Sequence, residues 1–259
     1  EIFTDNLKNE KILNFEKKDK EIFSIIKNYK LYNILYQSLK KNYCFNEINF
    51  KNFSLENYDL IINTDNFNSI TSKYFNRKII KEYNSLAYIT IIKHHKNENN
   101  IATQIFTKFG PIAFLPVSNN QTSVVFSIKN NLVKNKNDII NLIYKYNYKY
   151  KIINIGKLES IELKSFNLRS YYHNNILAFG DLLHRIHPLA GQGFNMTIRD
   201  IKILTDIIRK KKDLGLPLDS SVNVEFENKI RHKNFIFSNG IDLIHEFFNL
   251  ERKTNNTFL

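Results

Sequence analysis

Chemistry-bearing residues crowd between Leu177 and Asp200, in the string LAFGDLLHRIHPLAGQGFNMTIRD. An apolar run ends in Gly180-Asp181, a loop punctuated by Gly191-Gln192-Gly193 follows, and helical periodicity begins directly after it. Glycines let backbone N–H groups come close to a ligand, and the free N–H groups at a helix start, with the positive end of its dipole, favour negative charge. A carboxylate at the carboxyl end of a strand, as at Asp181, is placed to accept hydrogen bonds from sugar-like hydroxyls. From residue types alone this is an anion or dinucleotide site at a strand–loop–helix junction.

Other candidates carry less. His184 and His187 form H-x-x-H in the same loop, and His94-His95 are adjacent. Neither pair has a third ligand at suitable spacing, so no metal is assigned, and the loop histidines are read as packing and hydrogen bonding. Cys44 is the single cysteine. It forms no intramolecular disulfide, which suits a reducing, cytoplasmic compartment, and between Tyr43 and Phe45 it reads as a small core residue. Asp65 ends a strand-like run, Tyr58 to Thr64.

The elements that must position these groups follow from periodicity. Ile25, Leu31, Ile34, Leu35 and Leu39 recur at helical spacing over Ile25 to Lys41. From Tyr88 to Ile128 the runs YITIIK, TQIFT, IAFLPV and SVVFSI, broken by polar residues or Gly110-Pro111, predict an antiparallel sheet. Asp138 to Tyr146 reads as a helix, Ser160 to Leu163 as a strand, and Ile176 to Phe179 as a buried strand. The helix after the glycine loop is given an apolar face of Ile198, Ile201, Leu204, Ile207 and Ile208, with Arg209 to Lys212 at its C-terminal end, where cations suit the dipole. A last helical stretch runs from Glu225 to Leu250.

Composition bounds the function classes. The chain has 259 residues, 42% hydrophobic and 14% aromatic, enough for a sizeable core. Its net charge of +13 coincides with abundant Lys, Asn, Ile, Phe and Tyr and with only 7 Gly, 4 Pro and no Trp, the skew of an A/T-biased genome. No nucleic-acid partner is therefore assigned; a weak attraction to an anionic membrane surface fits the charge. No apolar run approaches the ~20 residues of a membrane-spanning helix, so the expected placement is cytoplasmic, peripheral at the inner face of the membrane.

The Leu177–Asp200 string closely resembles the second flavin-binding motif of the para-hydroxybenzoate-hydroxylase-like flavin monooxygenases. Among them it is most similar to the aromatic hydroxylases of ubiquinone biosynthesis, with the form G-D-A-A-H-x-x-H-P-L-A-G-Q-G-x-N. Gly180, Asp181, His184, His187, Pro188, Leu189, Ala190, Gly191, Gln192, Gly193 and Asn195 match, with Leu182 and Leu183 replacing the small pair. The strand region Tyr83 to Ile128, with Gln104–Thr107 and Gly110–Pro116, resembles the family's substrate domain. Arg199-Asp200 and the segment Arg231 to Phe248 resemble its later helices.

The resemblance implies an α/β (α+β) fold: a discontinuous FAD-binding domain lacking its N-terminal Rossmann segment, an inserted antiparallel-sheet substrate domain and C-terminal helices. The expected division is 1–66 and 171–212 for the FAD domain, 67–170 for the substrate sheet and 213–259 for the helical end. It also implies FAD as cofactor and NAD(P)H as reductant. The reaction would be transfer of one oxygen of O2 to a polyprenylated phenol, in company with other quinone-biosynthesis proteins. Asp181 would bind the ribityl chain, Pro188 would lie against the flavin ring, and Gly191, Gln192, Gly193, Phe194 and Asn195 would face the pyrimidine edge. Phe106, Phe114 and Leu115 are candidates for the apolar substrate pocket, against the alternative that they are plain core.

Two departures matter. The family's Asp-Gly motif appears as Thr64-Asp65-Asn66, where Asn66 is expected to take the left-handed turn conformation of the missing glycine. The G-x-G-x-x-G fingerprint is not in the chain, which reads as N-terminally incomplete. That leaves two other readings: a truncated, non-catalytic member serving in the assembly of a quinone-biosynthesis complex, and a flavin reductase that does not hydroxylate.

Overall fold

The computed structural model describes residues 1–5, 11–16, 21–48, 54–132, 135–186 and 192–254, and beyond residue 240 the side chains of Asp242, Leu243 and Glu246 only. In chain order the first elements are strands β1 (Ile2–Thr4) and β2 (Lys11–Leu13), helix α1 (Asn28–Lys40), strand β3 (Ile61–Asn63) and helix α2 (Ser69–Tyr74). Strands β4 (Lys78–His94), β5 (Thr103–Thr107), β6 (Gly110–Ser118) and β7 (Gln121–Lys129) precede helix α3 (Lys136–Tyr146). Then come β8 (Ile152–Ile155), β9 (Glu159–Leu168), β10 (Tyr172–His173), β11 (Ile176–Ala178), β12 (His184–Arg185), and helices α4 (Gln192–Asp213) and α5 (Ser220–Thr254). The chain divides into two compact units, one of residues 1–49 and 84–162, the other of 50–83 and 163–259, and crosses between them after residue 49, inside β4 and inside β9.

The first unit is built on the antiparallel run anticipated from Tyr88 to Ile128. β4 pairs with β7, β7 with β6, and β6 with β5, all antiparallel, and β1 adds in parallel beside β5 with Phe3 opposite Ile105. Alternation places Ile112, Phe114, Val124, Phe126 and Ile128 on one face, where Ile139 and Ile143 of α3 join them in a buried cluster. Asn135 caps α3 by accepting from the backbone N–H of Asp138 at 3.0 Å. Gly110 sits where no other residue fits: φ is +146°, and a Cβ there would lie 1.7 Å from the Ser127 carbonyl oxygen. The amphipathic helix read over Ile25 to Lys41 forms as α1, yet none of its residues is buried.

In the second unit, β10 and β11 form an antiparallel hairpin and β11 runs parallel to β3. Asn174 turns that hairpin at φ 51°, and Asn223 of α5 donates to its carbonyl oxygen at 3.0 Å. Leu177, Ala178, Phe179, Leu182 and Leu183 pack with Leu204 and Ile207 of α4 and with Val222, Phe226 and Ile230 of α5. The face assigned to α4 from sequence needs correction. Met196, Asp200, Leu204 and Ile207 are its buried residues, while Ile198 and Ile201 are about half exposed. The true stripe contains a carboxylate, which hydrophobic periodicity alone passes over.

Candidate functional site

The site residues of the second unit come from two adjacent parallel strands and one helix start. Ala178 of β11 lies opposite Asn63 of β3, and the Phe179 N–H donates to the Asn63 carbonyl at 2.9 Å. Asp65 and Gly180-Asp181 therefore leave the sheet at the same edge, the carboxyl ends of both strands. Open α/β sheets bind ligands at that edge.

The Asp65 turn forms without a left-handed residue. Among the described non-glycine residues only Asn84 and Asn174 have positive φ, so Asn66 does not take the conformation expected of it. Side chains shape the turn instead. Asp65 Oδ1 accepts from the Phe67 N–H at 2.8 Å, Asn68 donates to Asn63 Oδ1 at 2.8 Å, and the same Asn68 caps α2 by accepting from the Thr71 N–H at 2.9 Å. An Asx-type closure has made the glycine unnecessary.

At the end of β11 the left-handed position is Gly180, φ +63°, which opens a single 3-10 turn over Gly180–Leu182. A Cβ on Gly180 would meet nothing within 4 Å, so the glycine is there for its backbone angle and leaves open space above the turn. Asp181 points outward and is exposed. Leu182 and Leu183, which replace the small pair of the resembled motif, are wholly buried and fill the core beneath.

The described part of α4 begins at Gln192, and the backbone N–H groups of Gln192, Gly193 and Phe194 lie in its first turn. Gly193 also has open space where a Cβ would be, Phe194 is 55% exposed, and Asn195 donates to Gln192 Oε1 at 3.2 Å. Pro188 and Gly191, with His187, Leu189 and Ala190, lie outside the described residues. An exposed carboxylate on a turn that contacts α4, with open space where a Cβ would stand on Gly180 and on Gly193, fits a polyol chain and an anionic ring edge, the parts a flavin offers.

His184 packs and hydrogen-bonds as read from the sequence, but its partners were not anticipated. His184 is 2% and Asp200 1% exposed, and His184 Nε2 donates to Asp200 Oδ2 at 2.8 Å. Arg199 donates twice to the other oxygen, from Nε at 3.0 Å and Nη2 at 2.8 Å, and Nη2 also donates to Asn234 Oδ1 of α5. The signal in the sequence was the acidic residue at helical spacing between Met196 and Leu204, since a buried charge requires partners.

The remaining candidates fall elsewhere. Cys44 is exposed, not a core residue: it follows the end of α1 in a segment that packs against nothing deep. Phe114 belongs to the core of the first unit and Phe106 is buried, as the plain-core alternative has it, while Leu115 is half-buried. A cavity of about 1010 Å³ in that unit is lined instead by Phe15, Ile22, Phe23, Ile101, Pro116 and Val117 among others. His94 is buried, with Nε2 3.0 Å from Thr122 Oγ1 and Nδ1 2.9 Å from the His95 carbonyl oxygen, which is a structural role.

No family model matches the chain. The ubiquinone biosynthesis monooxygenase COQ6 of Drosophila melanogaster is 24% identical over 240 residues, covering 76% of this chain and 50% of that protein. The 3-demethoxyubiquinol 3-hydroxylase of Escherichia coli K12 is 29% identical over 152 residues, 56% of this chain and 39% of the relative. Among solved structures, pqsL, described as a probable FAD-dependent monooxygenase from Pseudomonas aeruginosa, superposes with a TM-score of 0.56 at 14% identity, over 76% of this chain and 57% of the other. A 2-methyl-3-hydroxypyridine-5-carboxylic acid oxygenase gives 0.57 at 14% identity, over 78% and 57%. The chain spans about half the length of the curated relatives it matches. It is a distant homologue of the ubiquinone-biosynthesis monooxygenases, with a mixed α/β fold resembling that of FAD-dependent monooxygenases over about three quarters of its length.

Proposed function

We propose that this chain carries the flavin-ring side of the FAD site and the substrate sheet of a monooxygenase that hydroxylates a polyprenylated phenol in ubiquinone biosynthesis. The unit of residues 50–83 and 163–259 is assigned to the FAD side with the helical end, and the unit of residues 1–49 and 84–162, which holds the sheet, to the substrate side. The observation that supports the reading is that the Gly180–Leu182 turn, which carries Asp181, contacts α4 within a string similar to the flavin motif of those hydroxylases.

FAD, when bound, supplies the redox chemistry: it is reduced by NAD(P)H and activates O2. The chain's residues bind and orient. Asp181 accepts hydrogen bonds from the ribityl hydroxyls, and Asp65, at the same sheet edge, is assigned to the cofactor side as well. Gly180 holds the turn that aims Asp181, and Pro188 and Gly191 through Asn195 face the flavin ring. The backbone N–H groups in the first turn of α4, with the positive end of its dipole, would stabilise negative charge at the pyrimidine edge of a reduced flavin. The net charge of +13 suits an enzyme that meets an apolar substrate at an anionic membrane. No described helix is long and apolar enough to cross one.

The test is isotopic. Protein supplied with FAD, NAD(P)H, labelled O2 and a polyprenyl phenol is expected to place label in the product ring, and cells without the gene to accumulate the unhydroxylated precursor. Nicotinamide oxidation with no label in the ring would leave a flavin reductase. Neither activity in flavin-loaded protein would leave a non-catalytic component of a quinone-biosynthesis assembly.

A further inference from the structure

Asp200 stands on the buried stripe of α4 between Met196 and Leu204, with both of its oxygens engaged. A carboxylate only accepts hydrogen bonds, so the imidazole of His184 must present Nε2–H to it, which fixes the tautomer and the ring orientation. The backbone of His184 is itself fixed: β12 pairs with β9, His184 opposite Asn167, directly after the Gly180–Leu182 turn. Apolar contacts such as Leu182 and Leu183 against Leu204 are non-directional and tolerate a small slide of one element along another. A buried, charged hydrogen bond does not.

We infer that His184, Asp200 and Arg199 form a positioning latch that sets the register of α4 against the Asp181 turn. The helix start, about 1.5 Å per residue along a rigid rod from Asp200, is thereby held at a fixed offset from the Asp181 carboxylate. Arg199 neutralises Asp200, so that no net negative charge from this pair opposes the positive field at the start of α4. These three are positioning residues, since they act through α4 and the turn. As an aid to flavin binding, the latch rests on the proposed function.

The experiment compares the wild-type protein with His184→Leu, which removes the donor, His184→Gln, which keeps one, and Arg199→Lys, which keeps charge but loses the two-pronged contact. Each is read by FAD affinity, by flavin midpoint potential, and, without flavin, by amide hydrogen exchange. In His184→Leu the FAD Kd is expected to rise about tenfold or more, as loss of one charged hydrogen bond implies. The potential should shift, and the amides of Leu183 and of Met196–Arg199 should exchange faster while those around Leu204 and Phe226 stay protected. His184→Gln should restore most of each, and Arg199→Lys should lie between. If His184→Leu does not fold, Gln and Lys at these positions carry the comparison. Folded variants with wild-type affinity, potential and local exchange would overturn the latch. Absence of flavin binding by a wild-type protein that also carries a dinucleotide-binding segment would overturn the proposed function, and the exchange pattern alone would then decide the latch.

Discussion

Asp181 leaves its carboxylate exposed beyond the end of β11, whereas Asp200 is buried under three donated hydrogen bonds. The two should fail differently. Asp181→Ala is expected to leave the melting temperature unchanged and to weaken flavin binding by about 1.5–3 kcal/mol per charged hydrogen bond, roughly ten- to a hundredfold in Kd by fluorescence titration. Asp200→Ala should instead cost about 3–5 kcal/mol of stability in urea melts, because His184 and Arg199 lose the group that compensates them. Cys44→Ser should change neither, and the exposed thiol should react with a thiol reagent in the native state. Asp181 stands out in the sequence as a candidate because its neighbours form a long, specific string. Asp200 was not, because the pairing that explains it joins β12 to α4, and no periodicity records a partner on another element.

Strand positions were largely legible because alternation and Gly-Pro punctuation are local signals. β5, β6 and β7 appear where TQIFT, IAFLPV and SVVFSI were read. β4 begins ten residues before the expected Tyr88, at Lys78, because its first half carries exposed Ile79 and Ile80 and a positive-φ Asn84 that blur alternation. Two glycines allow a test of this scale. Gly110→Ala places a methyl group on the Ser127 carbonyl at a φ that L-residues rarely adopt, and should cost about 4 kcal/mol or more, losing the native sheet signal of the first unit. Gly180→Ala meets only the backbone penalty, about 1–2 kcal/mol, because open space surrounds its Cβ. Equal losses in chemical denaturation would contradict the distinction.

Four tyrosines tie the fold as a whole to pH. Burial raises the phenols of Tyr83, Tyr146, Tyr150 and Tyr171 above their ordinary value of 10.0, reinforced by Asp242 at Tyr83 and by Asp5 at Tyr146. A folded value above the unfolded one means the native state holds protons longer. Their contribution is fully present below about pH 10 and is lost as the pH rises through the folded values. Alkaline titration followed by tyrosinate absorbance should show exposed tyrosines ionising first and these four only with the unfolding transition; a single non-cooperative titration of all 14 tyrosines would refute it. At this scale the sequence indicated an α/β protein with an inserted sheet. It did not indicate that α1 would show no buried face, since amphipathicity marks a face that can be covered and not what covers it.

The pairing of β3 with β11 has a consequence for how the chain is made. Synthesis runs from the N-terminus, so Ile61–Asn63 leave the ribosome long before their parallel partner Ile176–Ala178 exists. In that interval β4 to β7, joined by short connections, can assemble their hairpins at once. The Asp65 turn therefore takes up its place at the same sheet edge as Asp181 only after β11 has been made. A premature stop before residue 176 would release a chain with the β5–β6–β7 hairpins and an orphan β3, a species whose open edge is a natural target for chaperones.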